Sequence, residues 1–242
     1  MLGLGSSLHK AGKVGKSIVR DGLVLEHGYS TGAVEPCSTG AASFNGASDY
    51  IQLANAISYN VFSISAWINV TGDATTKTIL DTREDSDDGV FFFLTSDEQL
   101  VLYVNDLHSN AIYLTAGVWQ HVVGTYDGTS IKLYVDGVLV ETRTPGGDSE
   151  TVGTGTAARI GKSTIEDDNE FFGYMANVGV WSAALTQAQV KSIMLKDYAA
   201  LSASEKTNLV SWWNLDEETA TDGTAGTGGV KDHEGSNHGT LA

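Results

Sequence analysis

Residues 120–142 read QHVVGTYDGTSIKLYVDGVLVET and carry the clearest signal of fold in the chain. Three short runs of alternating apolar and polar residues are separated by Asp127-Gly128 and by Asp136-Gly137. Asp-Gly between two such runs is a strong hairpin signal, because a type I′ turn needs positive φ at both central residues. The stretch predicts a three-stranded antiparallel meander with a hairpin tip at each Asp-Gly pair.

The same alternation continues outward from this meander. Residues 61–70, VFSISAWINV, place Phe62, Ile64, Ala66 and Ile68 on one face of a predicted strand, because side chains two residues apart share a face. Other strand-like runs are Val90–Thr95 and Leu100–Val104. We predict that the apolar face of residues 61–70 is buried between two sheets, together with Leu133 and Val135.

Helical spacing occurs in one segment, Leu185–Lys196. There Leu185, Val190, Ile193 and Met194 fall on one face, and Thr186 is placed to start the helix. A single helix among many strands does not alternate with them as in parallel α/β folds. The sequence therefore predicts an all-β, two-sheet antiparallel sandwich with one short helix and an N-terminal arm.

Composition and charge exclude several classes of protein. The chain has 242 residues, 41% hydrophobic and 18% charged, which is enough apolar surface for one sizeable core. No run approaches the roughly 18 apolar residues of a membrane span. A net charge of −16 would repel nucleic acid and anionic membranes, so we expect neither as a partner.

The charge is divided between an arm and a body. Residues 1–20 contain four basic residues and no acid, which leaves ten basic and 30 acidic residues in the rest, a net charge of −20. We predict a basic N-terminal arm and lead-in at 1–40, the sandwich at 41–218, and a Gly/Thr-rich loop with a C-terminal strand at 219–242. Gly and charge interrupt every apolar stretch before Ser17, so we expect no secretory signal peptide.

Several motifs in a fixed order carry a resemblance to a known family. They are Ser43-Phe44-Asn45-Gly46, Phe62–Ile68, Trp119-Gln120-His121-Val122, Tyr126-Asp127-Gly128, Leu133–Gly137, Ile160-Gly161 and Phe172-Gly173-Tyr174 with Val180-Trp181. From about Ala41 to Leu215 the chain resembles the laminin-G-like, concanavalin A-like jelly roll. The resemblance implies two curved antiparallel sheets packed face to face. It does not fix a function, since this sandwich serves lectins, glycan hydrolases, adhesion modules and structural subunits.

Catalytic carboxylates are the first functional possibility. Hydrolases of this fold carry carboxylates at alternating positions of one strand, and no such run occurs here. The acidic stretch 166–170 is consecutive and lies in a predicted loop. We therefore expect that the protein is not an enzyme and has no catalytic residues, with a glycoside hydrolase as the least favoured alternative.

A calcium site in two acidic loops, residues 81–88 and 166–170, is the second functional possibility. Ca²⁺ takes six to eight oxygen ligands, and loops supply them readily. In pentraxins, which are related to this family, loops in comparable positions meet at a calcium site, so the resemblance implies that the two loops lie near each other. The alternative is that both loops are simply solvated. The candidate Ca²⁺ ligands are Asp85, Asp87, Asp88, Glu166, Asp167 and Asp168.

The aromatic residues allow two interpretations. A buried position is the usual one for Trp in strands or at strand ends, and the five here are Trp67, Trp119, Trp181, Trp212 and Trp213. The run Phe91-Phe92-Phe93 cannot place all three rings on one face of a strand. Any aromatic left outside the core would serve sugar stacking or subunit contacts, and the sequence leaves both open.

A second resemblance concerns the opening of the chain and the last strand-like run of the sandwich. The opening 29 residues and the tail from Asn208 to Glu217 resemble virion structural proteins of tailed bacteriophages. This implies a non-enzymatic virion subunit, a capsid decoration or fibre-like protein, made in the host cytoplasm and displayed as a homo-oligomer that can bind host-surface glycans. A stand-alone carbohydrate-binding lectin module is the alternative. The predicted contacts with other virion proteins are made by Lys10, Lys13, Lys16 and Arg20, unless the arm is simply a flexible terminus.

Overall fold

A computed structural model describes residues 35–36, 40–85, 88–105, 107–144, 158–217 and 229–242. The predicted assembly contacts Lys10, Lys13, Lys16 and Arg20, and the candidate metal ligand Asp87, lie outside these ranges. The elements given below belong to a compact unit that spans Pro36–Ala242.

The described residues form short strands and one α-helix. The strands are β1 (Ala42–Asn45), β2 (Ile51–Leu53), β3 (Phe62–Val70), β4 (Lys77–Asp81), β5 (Val90–Leu94), β6 (Gln99–Val104), β7 (Leu107–His108), β8 (Ile112–Tyr113), β9 (Gln120–Tyr126), β10 (Ile131–Val135), β11 (Val138–Arg143), β12 (Arg159–Ile160), β13 (Phe172–Trp181), β14 (Leu209–Trp213), β15 (Gly229–Val230) and β16 (Gly239–Leu241). Helix α1 spans Gln187–Ile193, and a 3₁₀ helix spans Tyr198–Ala200.

These strands pair into two antiparallel sheets, as the sequence predicts. The first sheet has the order β1-β13-β3-β9-β10-β11, and β14 pairs with β13. The second sheet has the order β15-β16-β2-β12-β4-β5-β6-β7, and β8 pairs with β6. The predicted meander is present as β9, β10 and β11. The chain is therefore an all-β two-sheet sandwich with one helix.

The two Asp-Gly tips differ in detail. Asp136 and Gly137 have φ of 49° and 75° between β10 and β11, which fits the predicted two-residue turn. The other connection is longer than that turn and runs from Asp127 to Ser130. Asp127 Oδ1 accepts hydrogen bonds from Thr129 N at 3.0 Å and from Ser130 N at 2.7 Å. The carboxylate, rather than a second residue with positive φ, closes this tip.

The core lies between the inner faces of the two sheets. It includes the four apolar residues predicted for β3, together with Leu133, while Val135 is partly buried against it. From the second sheet it receives Phe92, Leu94 and Leu102. Burial of such side chains contributes about 1.5–3 kcal/mol each, so this face accounts for much of the stability of the sandwich.

The outer face of the first sheet is also covered. Residues 182–208, which include α1, pack on it and bury a second apolar cluster that contains Trp181 and Trp212. Thr186 caps the helix in a capping box with Gln189. Trp67 Nε1 donates a hydrogen bond to the Met194 carbonyl at 2.8 Å. This layer explains why Trp67, although it is on the outer face of β3, is 1% exposed.

The C-terminal residues complete the second sheet. Strand β16 pairs with β2 along Gly239–Leu241, and Trp213 Nε1 donates to the Asn237 carbonyl at 2.9 Å. The sheet therefore extends beyond the span of the predicted sandwich domain. Among the described residues, no helix is long and apolar enough to cross a membrane.

Candidate functional site

The outer face of the second sheet carries aromatic side chains on β5 and β6. Phe92 and Leu94 of β5 point into the core, so Phe91 and Phe93 point the other way. Phe91 is paired with Tyr103, and Phe93 with Val101, across β5 and β6. A row of aromatic and aliphatic side chains therefore crosses this face.

A groove of about 470 Å³ opens over this row. Among the described residues, it is lined by Phe93, Val101, Tyr103, His108, Ser109, Asn110 and Ala111, and these seven residues are called the aromatic groove below. The Tyr103 and His108 rings are nearly parallel, at 12° with centroids 6.3 Å apart. The turn that joins β7 to β8 forms one wall. Its Ser109 Oγ accepts a hydrogen bond from Leu102 N at 3.1 Å, which ties the wall to β6.

The ring of Phe93 stacks on the ring of Phe91, which in turn packs against the Arg83 guanidinium. The centroids of the two rings are 4.1 Å apart and their planes 9° apart. The Arg83 guanidinium covers the opposite face of this pair, 3.8 Å from the Phe91 centroid. Phe91 is 5% exposed, whereas Phe93 is only partly buried and lines the groove. The stack therefore fixes the plane that Phe93 offers to a ligand.

Arg83 joins the two acidic loops. Its Nη2 donates to Asp81 Oδ2 and to Glu166 Oε2, each at 2.8 Å. Ser163 Oγ lies 3.0 Å from Asp81 Oδ2 and 2.7 Å from Glu166 Oε2, and Asn169 Nδ2 donates to Glu166 Oε2 at 3.0 Å. The loops thus meet, as the family resemblance implies, and the group between their carboxylates is a guanidinium.

The surroundings of Glu166 determine its protonation. Partial burial raises its pKa, but the hydrogen bond from Ser163 and the charge of Arg83 outweigh this and hold the pKa below its ordinary value. Oε2 already accepts from three protein groups. Oε2 of Glu166 is therefore engaged by the protein, and the role of Glu166 as a Ca²⁺ ligand stays a prediction.

The other candidate metal ligands are at the surface. Asp85, Asp167 and Asp168 are exposed, and Asp88 is half-buried. Within the described residues, no group of three or more His, Cys, Asp and Glu side chains is close enough to hold one metal ion. Calcium binding by these loops stays a prediction.

Asn110 connects the groove to the opposite sheet. Its Nδ2 donates to Glu141 Oε1 at 2.7 Å, and its Oδ1 accepts from Arg143 Nη1 at 3.4 Å. Both partners belong to β11, the edge strand of the first sheet. The amide of Asn110 is therefore oriented by two side chains that are not part of the groove.

The sequence indicated this site only through the run 91–93. Four of the five Trp side chains are buried, Trp67, Trp181, Trp212 and Trp213, whereas Trp119 is half-buried beside the exposed ring of Tyr174. The aromatics that line the groove are Phe93 and Tyr103, neither of which the sequence singles out by itself. Alternation places Phe93 outside, but only the register of β5 on β6 brings it beside Val101 and Tyr103.

Comparisons with known proteins agree with this fold. A family model described as the concanavalin A-like lectin/glucanases superfamily matches residues 45–191, more than half of the chain. No curated protein sequence matches the chain.

Two solved structures illustrate the similarity. A candidate carbohydrate-binding protein of Bacteroides ovatus is 24% identical with a TM-score of 0.66, covering 83% of this chain and 57% of its own. The chain therefore spans little more than half the length of that protein. A heptameric SAP-like pentraxin of Limulus polyphemus is 20% identical with a TM-score of 0.52, covering 63% of this chain and 80% of its own. Both similarities show the fold alone.

Proposed function

The chain belongs to the concanavalin A-like lectin/glucanases superfamily, and on that premise we propose that it is a non-enzymatic carbohydrate-binding protein whose ligand lies in the aromatic groove. One observation carries the proposal, the partly exposed Phe93 ring held in a fixed plane by Phe91 and Arg83. A sugar face is rich in C–H groups, so an oriented aromatic surface with nearby polar groups can bind it.

The lining supplies both kinds of contact. Phe93, Val101 and Tyr103 give an apolar floor, and His108 and Asn110 bring polar groups to the wall. Because one face of the Phe93 ring is already packed on Phe91, little side-chain entropy is lost when a ligand stacks on the other face. This favours a preformed binding surface over one that forms only with the ligand.

The charges beside the groove favour binding over hydrolysis. A glycosidase needs a carboxylic acid with a raised pKa beside a second carboxylate. The pKa of Glu166 is lowered, and Asp81 is 0% exposed and bonded to Arg83. The pair is arranged as an ion-pair network and not as an acid and a nucleophile.

A glycan array followed by calorimetry tests the proposal. We expect saturable binding by the full chain, loss of at least tenfold in affinity in Phe93→Ala and in Tyr103→Ala, and no release of reducing ends. Tyr174→Ala is the matched control, because Tyr174 is 47% exposed and lies on β13 of the other sheet. Absence of saturable binding to any glycan, or equal losses in all three variants, would overturn the proposal.

The setting in which the protein acts is a finer proposal. We propose that it is a subunit of a tailed-phage virion that displays the sandwich outward as a homo-oligomer, attached through its basic N-terminal arm. The support is the composition of residues 1–20 and the resemblance of residues 1–29 and 208–217 to virion structural proteins. A lectin module that acts by itself has the same groove and differs in lacking a particle partner, so attachment to particles separates the two.

A further inference from the structure

The aromatic groove contains few charged groups in a strongly acidic protein. Its seven lining residues include no Lys, Arg, Asp or Glu, whereas the whole chain has a net charge of −16. Resting on the proposed function, we infer that the ligand is an uncharged glycan, and that Asn110, held by Glu141 and Arg143, recognises its hydroxyl groups.

Among the described residues, two cations contact the groove or the aromatic stack beside it, Arg83 and Arg143. Arg83 is 6% exposed and is paired with Asp81 and Glu166. Arg143 donates to the Asn110 amide, which also contacts the carboxylate of Glu141. A sialic or uronic acid in the groove would therefore lose hydration without a Lys or Arg among the lining residues to pair with, and it would be repelled by the net charge of the body.

The chemistry of Asn110 favours hydroxyl groups. A carboxylate only accepts hydrogen bonds and a guanidinium only donates them. The Asn110 nitrogen therefore points toward the Glu141 carboxylate, and the Asn110 oxygen points toward the Arg143 guanidinium. With these two contacts between described residues, one N–H and one lone pair of the amide are unused, and a sugar hydroxyl, which both donates and accepts, can use either. A carboxylate ligand could use only the N–H and would face the amide oxygen.

Matched glycans test the class of ligand. Neutral oligosaccharides and the same chains capped with sialic acid or glucuronic acid are compared on the full chain at 50 mM and 500 mM NaCl. We expect the neutral chains to bind at least tenfold more tightly, with affinity that changes less than twofold with salt. Preference for the capped chains, with binding weakened by salt, would overturn this inference and leave the proposed function intact. No binding of any glycan would overturn both.

A substitution on the opposite sheet tests the role of Asn110. In Glu141→Gln the partner can donate or accept, so only the longer contact from Arg143, at 3.4 Å, still orients the amide. We expect affinity for the neutral glycan to fall about threefold to tenfold, the ratio of neutral to acidic affinity to fall with it, and the melting temperature to stay unchanged. Thr142→Ala, an exposed neighbour on β11, is the control. An unchanged affinity and ratio in Glu141→Gln would overturn the positioning role.

Discussion

The guanidinium of Arg83 lies 3.8 Å from the ring centroid of Phe91, and the same guanidinium is paired with Asp81 and Glu166. Arg83 therefore links the ion pairs between the two acidic loops to the stacked rings of Phe91 and Phe93 beside the groove. Loss of Arg83 removes the charge that balances buried Asp81 and also one side of the support for Phe93.

For Arg83→Met we expect a loss of about 3–5 kcal/mol in the free energy of unfolding, because Asp81, 0% exposed, loses the guanidinium with which it is paired. Urea denaturation measures the loss. The double variant Asp81→Asn/Arg83→Met should recover part of it. Lys132→Met is the matched control: the Lys132–Asp127 pair is 3.7 Å apart with side chains 37% and 39% exposed, so its loss costs under about 1 kcal/mol. Equal losses in the two single variants would contradict the prediction.

His121 should make stability depend on pH. Burial lowers its pKa from 6.5 to about 3, and its Nε2 lies 2.9 Å from Ser65 Oγ. The unfolded chain takes up a proton below pH 6.5 and the folded protein does not, so this contribution is complete above pH 6.5 and is lost as the pH falls toward 3. We expect a loss of about 2 kcal/mol at pH 5.

Denaturation at pH 7 and at pH 5 measures this effect. In His121→Gln the difference between the two pH values should shrink by about that amount, although the variant itself is less stable at pH 7. Substitution of the exposed His108 by Gln is the control and should leave the difference as it is. A pH dependence in His121→Gln equal to that of the original protein would contradict the assignment to His121.

Calcium binding by the acidic loops is tested by titration of chelator-treated protein. If the exposed carboxylates bind Ca²⁺, metal at a hundred times its Kd should stabilise the fold by about 2.7 kcal/mol, seen as a rise in melting temperature. The double variant Asp167→Asn/Asp168→Asn should lose this response. No change in melting temperature or spectrum at millimolar Ca²⁺ would remove the hypothesis.

The basic arm is tested by attachment to particles. Deletion of residues 1–20 should leave the melting temperature nearly unchanged and abolish incorporation, because the arm lacks the apolar periodicity of an element that packs in the sandwich. Replacing Lys10, Lys13, Lys16 and Arg20 with Ser should weaken attachment and reduce its sensitivity to salt. Recovery of the truncated protein on particles at full occupancy would favour a terminus without a role in assembly.

Features that depend only on neighbours along the chain can be predicted from the sequence. Alternation in β3 separates Phe62 from Ser63, and Asp136-Gly137 and the cap at Thr186 need only the residues beside them. These signals are local because strand faces, turns and helix caps are set by φ, ψ and hydrogen bonds over a few residues. They were enough to predict the sandwich, its meander and its helix.

Which faces are covered and which charges meet depends on how distant segments pack in three dimensions. Trp67 and Phe93 both point away from the core between the sheets, yet the segment 182–208 buries the first while the second lines an open groove. Arg83 pairs locally with Asp81, two residues before it, but it reaches Glu166 only because the loop after β12 packs against the end of β4. Such outcomes depend on the packing of segments far apart in the chain, which no local period of the sequence encodes.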